Sequence, residues 1–190
     1  MQERQIESEE LRTISEREQS HFFDRKALGV KGREVQTAAV AFANADGGEL
    51  IIGIRDPKDA PNVDERWQGV DSLEDLNGYL QAVFEVQPAL DVRYEMLLCG
   101  GIRGRVLRLS IEKSSAVCKT AEGIVYVRQG AQSLPIKDPD RIAQLTFARG
   151  ASSFEDQKLE EVPPEHVVDG EPLRTFLRGY SPKTDPSISA

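Results

Sequence analysis

Apolar positions change their period several times along the chain, and each change predicts an element. Residues 5–19 carry Ile6, Leu11 and Ile14 at roughly helical spacing among charges, the pattern of a short amphipathic helix. Residues 21–28, HFFDRKAL, are aromatic-rich and read as extended. Strand alternation there places His21, Phe23 and Arg25 on one sheet face and Phe22, Asp24 and Lys26 on the other. After a turn at residues 29–32, Val35, Ala39 and Phe42 line one stripe of a helix over residues 33–46. Residues 49–56, ELIIGIRD, form an apolar run of strand length, entered through Gly47 and Gly48 and left through Asp56 and Pro57.

Turn formers in residues 56–69 predict a polar loop, and Ser72 is placed to cap a helix over residues 72–85 whose core stripe is Leu73, Leu76, Leu80, Val83 and Phe84. Residues 90–99 and 105–114 flank a glycine-rich connection of hairpin length, and residues 123–131 make another hairpin-like strand. Asp138 and Pro139 open a last helix as cap and first helical residue. Helix, strand, helix, strand, helix, three strands and a helix make an α+β or mixed α/β sheet domain over residues 1–150. Residues 151–190 read as an acidic, proline-containing linker followed by a partial helix or tail, PLRTFLRGY, leading to a downstream domain or a partner protein.

The sharpest local feature is AFANADGGELIIGI, residues 41–54, where a helix rich in alanine stops at Asp46-Gly47-Gly48 and becomes a strand. Glycine ends a helix in the left-handed conformation without a Cβ clash. The alanines make the helix thin, so it can lie close on a sheet or a ligand. Gly53, inside an apolar strand, marks the close approach of another backbone or a ligand. Taken alone, the corner is equally a tight helix-to-strand connection.

Composition narrows the class. With 39% hydrophobic and 29% charged residues, and no apolar run near the ~20 residues that span a bilayer, the chain reads as a soluble globular protein. The charged first residues lack the apolar centre of a secretory signal, which predicts a cytoplasmic location. Cys99 and Cys118 form no CxxC pair and read as reduced, buried thiols. The net charge of −8 argues against gripping a long duplex with the whole surface. That charge is uneven: residues 1–100 hold 20 acids and 11 bases, residues 101–150 hold 4 and 9, and residues 151–190 hold 8 and 4. The central segment is therefore either a set of solvated strand faces or a local phosphate-binding surface.

Three blocks carry a family resemblance. AFANADGGELIIGIRD resembles the signature of the Schlafen AlbA-type domain, FFDRKAL resembles that family's strand with an acid, one residue and a lysine, and GIVYVRQGAQS resembles its final strand and turn. They occur in family order over roughly residues 16–150. The resemblance implies an Alba-like mixed sheet of about five to six strands flanked by helices, acting on nucleic acid. In the Schlafen branch it further implies a metal-dependent endoribonuclease on tRNA-like substrates, with three acids and a lysine. Asp24 and Asp56 match the second and third acids, and Lys26 matches the lysine. Gln19 stands five residues before Asp24, so Glu18, six before it, is the candidate for the first acid.

Phosphodiester cleavage of this kind uses Mg²⁺ or Mn²⁺ held by carboxylates to activate water and neutralise phosphate charge. Glu18, Asp24 and Asp56 are the candidate ligands, and Lys26 would stabilise charge on the scissile phosphate. The alternative is that Asp24 and Lys26 form a surface ion pair while Asp56 starts an Asp-Pro turn. Candidate phosphate-binding residues are Arg25, Lys31 and Arg33 beside that site, and Arg103, Arg105, Arg108, Lys119, Arg128 and Ser133 further on. Phe22, Phe23 and Tyr126 are either base-stacking platforms or core, and His21 and His166 read as incidental. RNA is favoured over DNA as the partner, because one local basic groove on an acidic protein suits single-stranded or structured RNA. A non-catalytic DNA-binding regulatory module and a homodimeric scaffold are the competing readings, and the resemblance alone suggests a role in defence.

Overall fold

The chain's five-stranded mixed sheet has the order β1-β4-β5-β3-β2, and a separate hairpin pairs β6 with β7. The computed structural model describes residues 2–149, so the linker and partial helix expected over residues 151–190 lie outside the described residues. The elements are β1 (Gln2–Ile6), α1 (Ser8–Glu16), β2 (Phe23–Lys26), α2 (Gly32–Ala43), β3 (Gly48–Ile52), α3 (Asn77–Phe84), β4 (Val92–Cys99), β5 (Arg105–Ile111), β6 (Val125–Gln129), β7 (Gln132–Ile136) and α4 (Pro139–Ala148). This is the α+β class expected. The outer pairs β1·β4 and β2·β3 are parallel, and the inner pairs are antiparallel.

Each sheet face buries its own cluster. On one face Val35, Ala39 and Phe42 of α2 pack with Leu50, Ile52 and Leu107. On the other, Leu11 of α1 packs with Phe23, Ile51, Leu97 and Trp67. Because α2 presents mostly alanines to the sheet, it lies close to it and buries its residues from Val35 to Ala43 apart from Thr37. Cys99 and Cys118 are free and buried. No helix among the described residues is long and apolar enough to cross a membrane.

Three local expectations need correction. The first residues are an edge strand, with Gln2 opposite Glu95 and Ile6 opposite Cys99, and the helix expected from residue 5 begins only at Ser8. The run QERQI has no apolar alternation, because an outermost strand with only Ile6 buried takes its order from backbone pairing. Ser72 caps a short 3-10 turn, Leu73–Leu76, rather than a continuous helix, and α3 starts at Asn77. Leu73 (44% exposed) and Phe84 (85%) consequently leave the core. Phe84 stands about 100° beyond Val83 on the helix, outside the stripe of Tyr79 and Val83. β7 is a strand the apolar pattern does not announce, since it is mostly exposed.

Polar side chains of α2 fasten the other elements to it. Gln36 donates to Ala82 O (2.7 Å) and accepts from Ala121 N–H (3.2 Å). Asn44 accepts from Cys118 N–H (2.8 Å) and donates to Cys118 O (2.7 Å) and Tyr126 O (2.9 Å), so its amide pairs as a strand residue would. Gly53 meets a backbone, not a ligand: a Cβ there would lie 3.0 Å from Gln68 O.

The Gly-Gly corner is tight for a definable reason. At Gly47, φ is +79° and a Cβ would come within 2.7 Å of Ile111 O, whereas Gly123 has φ +78° with nothing within 4 Å. Gly47→Ala should therefore cost more than Gly123→Ala, for which only the left-handed backbone, roughly 1–2 kcal/mol, is at issue. Urea midpoints of the two variants measure the difference, and equal losses would show that β5 yields to the corner.

Candidate nucleic-acid interface

Alternation along β2 sends Asp24 and Lys26 toward α2 and Phe23 and Arg25 toward α1. Asp24 is 2% exposed. Its Oδ1 accepts the Arg25 backbone N–H (2.8 Å), and its Oδ2 accepts from Arg128 (3.0 Å) and lies 3.4 Å from Lys26 Nζ.

Arg128, the phosphate ligand that the VRQG turn suggests, is 3% exposed and engaged within the chain. Its Nε and Nη2 donate to Ser20 O (3.1 and 3.0 Å), Nη2 also to Phe23 O (3.3 Å), and Nη1 to Asp24 and to Ser133 Oγ (3.3 Å). A guanidinium has five N–H groups, and all five are engaged. Its plane lies 4.7 Å from the centroid of the Phe42 ring. Arg128 thus locks the β6–β7 hairpin to β2 and neutralises Asp24.

Lys26, Arg33, Thr37 and Ser133 line a groove of ≈ 260 Å³ between β2, α2 and the hairpin, with Asp24 and Arg128 at its floor and Glu34 on its wall. Asp24 and Arg128 cancel one another. Lys26 and Arg33 then outnumber Glu34. Arg33 is 61% exposed and meets Glu122 at 3.0 Å, a surface pair worth about 0–1 kcal/mol that leaves the guanidinium available to a stronger anion. Lys31 is exposed two residues before it, at the N-cap of α2.

On the α1 side Arg25 is buried, donating to Ser15 O (2.5 Å) and Arg17 O (2.6 Å). Burial pushes its pKa down, Asp56 and Asp24 pull it back up, and Arg66 pushes it further down. Arg66, which no motif marks, donates to Ala60 O (2.7 Å), Ser15 O (2.8 Å) and Pro61 O (2.8 Å). Asp56 accepts from Lys58 N–H (2.9 Å) in the Asp-Pro turn and does not line the groove with Asp24 and Lys26. Glu18 is exposed. Gln19 instead faces β2, donating to Arg25 O (3.4 Å).

These positions test the implied metal. A divalent ion of the Mg²⁺ type needs carboxylate oxygens free to coordinate it. Among the described residues, no group of three His, Cys, Asp or Glu side chains could hold a metal ion. Asp24 is already ion-paired, Asp56 does not line the groove with it, and Glu18 is exposed. The donor set does not fit Mg²⁺ or Mn²⁺.

The basic central segment is likewise dispersed. Arg103 pairs with Asp71 (Nε 3.1 Å), Arg105 with Glu3 (3.4 Å), and Arg108 with Glu49 and with Glu95 (3.4 Å). Lys119 is exposed beside Gln87, with which its backbone exchanges two hydrogen bonds. None of the four lines the groove. Of the aromatic candidates, Phe23 is core, Tyr126 packs half-buried against the core, and Phe22 is 51% exposed with its ring edge-on to His21.

A family model described as Schlafen, AlbA_2 matches residues 13–137. Comparison with curated proteins finds no match. Among solved structures, the DIP2311 protein from Corynebacterium diphtheriae is similar with a TM-score of 0.48 and 17% identity, over 77% of this chain and 28% of that one.

Proposed function

The chain belongs to the Schlafen AlbA_2 family, whose domains are nucleic-acid-related, and from that premise we propose that it binds the phosphate backbone of nucleic acid in the groove of Lys26 and Arg33. One observation carries this reading: two cations, the half-buried Lys26 and the exposed Arg33, and two hydroxyls, Thr37 and Ser133, converge on one concave surface. Charged donors and hydroxyls of this kind hold phosphates in register without reading sequence. A short groove on a chain of net charge −8 suits single-stranded or structured RNA better than long duplex DNA. Binding here proceeds without cleavage, because the carboxylate beside Lys26 is the partner of Arg128. That is the role of a regulatory module rather than of an endoribonuclease.

Fluorescence anisotropy with a labelled tRNA and a labelled DNA duplex tests the assignment. Lys26→Ala and Arg33→Ala should each raise Kd for RNA about 5- to 10-fold, on the order of 1 kcal/mol per charge-assisted contact. Arg103→Ala, at a side chain that is 87% exposed and does not line the groove, should leave it unchanged. Groove variants that bind RNA as the parent chain does would refute the proposal.

A further inference from the structure

Asp24, the acid of β2 that matches one of the family's metal ligands, lies among cations of the chain itself. Asp24 has Arg128 at 3.0 Å and Lys26 at 3.4 Å on the α2 side of the sheet. The turn that Asp56 starts is held by Arg66. Asp56 O accepts from Asp59 and Ala60 N–H (3.0 Å each), Ala60 O accepts from Arg66 Nε, and the neighbouring Arg55 N–H donates to Arg66 O (2.9 Å). Arg25 and Arg66 share one acceptor, Ser15 O, so two buried like charges stand together. A divalent ion added beside Asp24 would have to approach two resident cations, Arg128 and Lys26.

We infer that Arg128 with Lys26 holds the charge place that a divalent ion would take at Asp24, so that this domain engages its nucleic acid independently of Mg²⁺ and Mn²⁺. The nucleic-acid part rests on the function proposed above, whereas the charge assignment concerns the protein alone. Gln19 fits the same account: where a third carboxylate would complete a metal set, an amide donates to Arg25 O.

Titration of the full chain with Mn²⁺, free ion being followed by electron paramagnetic resonance without nucleic acid, tests the charge assignment directly. No saturable site at millimolar Mn²⁺, and the same melting temperature in EDTA as in MgCl₂, is the expected result. A one-to-one Mn²⁺ site that Asp24→Asn or Asp56→Asn removes would overturn the inference. RNA affinity that is equal in EDTA and in MgCl₂ completes the account, and affinity that vanishes in EDTA contradicts it. Failure of the groove to bind RNA would leave the Mn²⁺ result standing and refute only the function proposed above.

Discussion

Arg128→Ala is expected to lower the unfolding free energy by about 3–5 kcal/mol, the range for removing one partner of a buried ion pair. The Asp24 carboxylate, 2% exposed, would lose its nearest guanidinium while remaining out of water. Ser20 O would lose its donors, Phe23 O one of its two, and the Phe42 ring its cation. Against the ~5–15 kcal/mol that holds an ordinary domain together, this is roughly a fifth or more of the total. Arg128→Lys should restore little, since a compact ammonium with three donors cannot span Asp24, Ser133, Ser20 and Phe23 at once. Urea denaturation followed by circular dichroism measures the loss. A change below about 1 kcal/mol, the scale of a surface ion pair, would mean that Arg128 is not a lock and is free for a phosphate.

Asn44→Ala has the second largest expected effect, about 3 kcal/mol or more. Its side chain, 1% exposed, is the partner of one buried N–H and two carbonyl oxygens on Cys118 and Tyr126, and each group left unpaired costs about 1–3 kcal/mol. The variant should also loosen the β6–β7 hairpin, because Tyr126 belongs to β6. Asn44→Asp tests the direction of the bonds. It keeps the acceptor for Cys118 N–H but aims oxygen at two carbonyl oxygens, so it should fail to rescue. Amide hydrogen exchange at Cys118 reads the bond itself, and protection equal to that of the parent chain would contradict the assignment.

Legibility in the sequence followed whether an element's order comes from its own residues. The α2 stripe of Val35, Ala39 and Phe42 and the run into β3 could be read because each buries its own apolar period. The pairing of Asp24 with Lys26 on one face likewise follows from alternation. β1 could not be read, since Gln2 to Gln5 are polar and ordered by β4. β7 is hidden by Pro135 and by its exposure on a two-stranded hairpin. The site was harder. Arg128 and Asp24 stand 104 residues apart in the chain, so nothing local reports that the arginine of a family motif is buried on an acid. Arg66 sits in a loop with no motif, and its grip on Ser15 O is long-range as well. Alternation gives a face to Arg25 but no partner, and the carbonyls at the end of α1 supply that partner.

The corner at Gly47 and Gly48 accordingly serves the fold before it serves a ligand. It returns the chain from α2 into β3 under the Phe42 ring, and a Cβ on Gly48 would lie 2.6 Å from that ring. The same ring carries Arg128 on its face, so the corner, Asn44 and Arg128 together seat the hairpin whose Ser133 completes the groove.

The salt dependence of RNA binding tests the central claim most directly. If Lys26 contacts a phosphate, a plot of log Kd against log salt concentration for Lys26→Ala should be shallower than for the parent chain by about one unit of slope, from the one phosphate contact removed. Two parallel lines would contradict the claim and remove Lys26 from the interface.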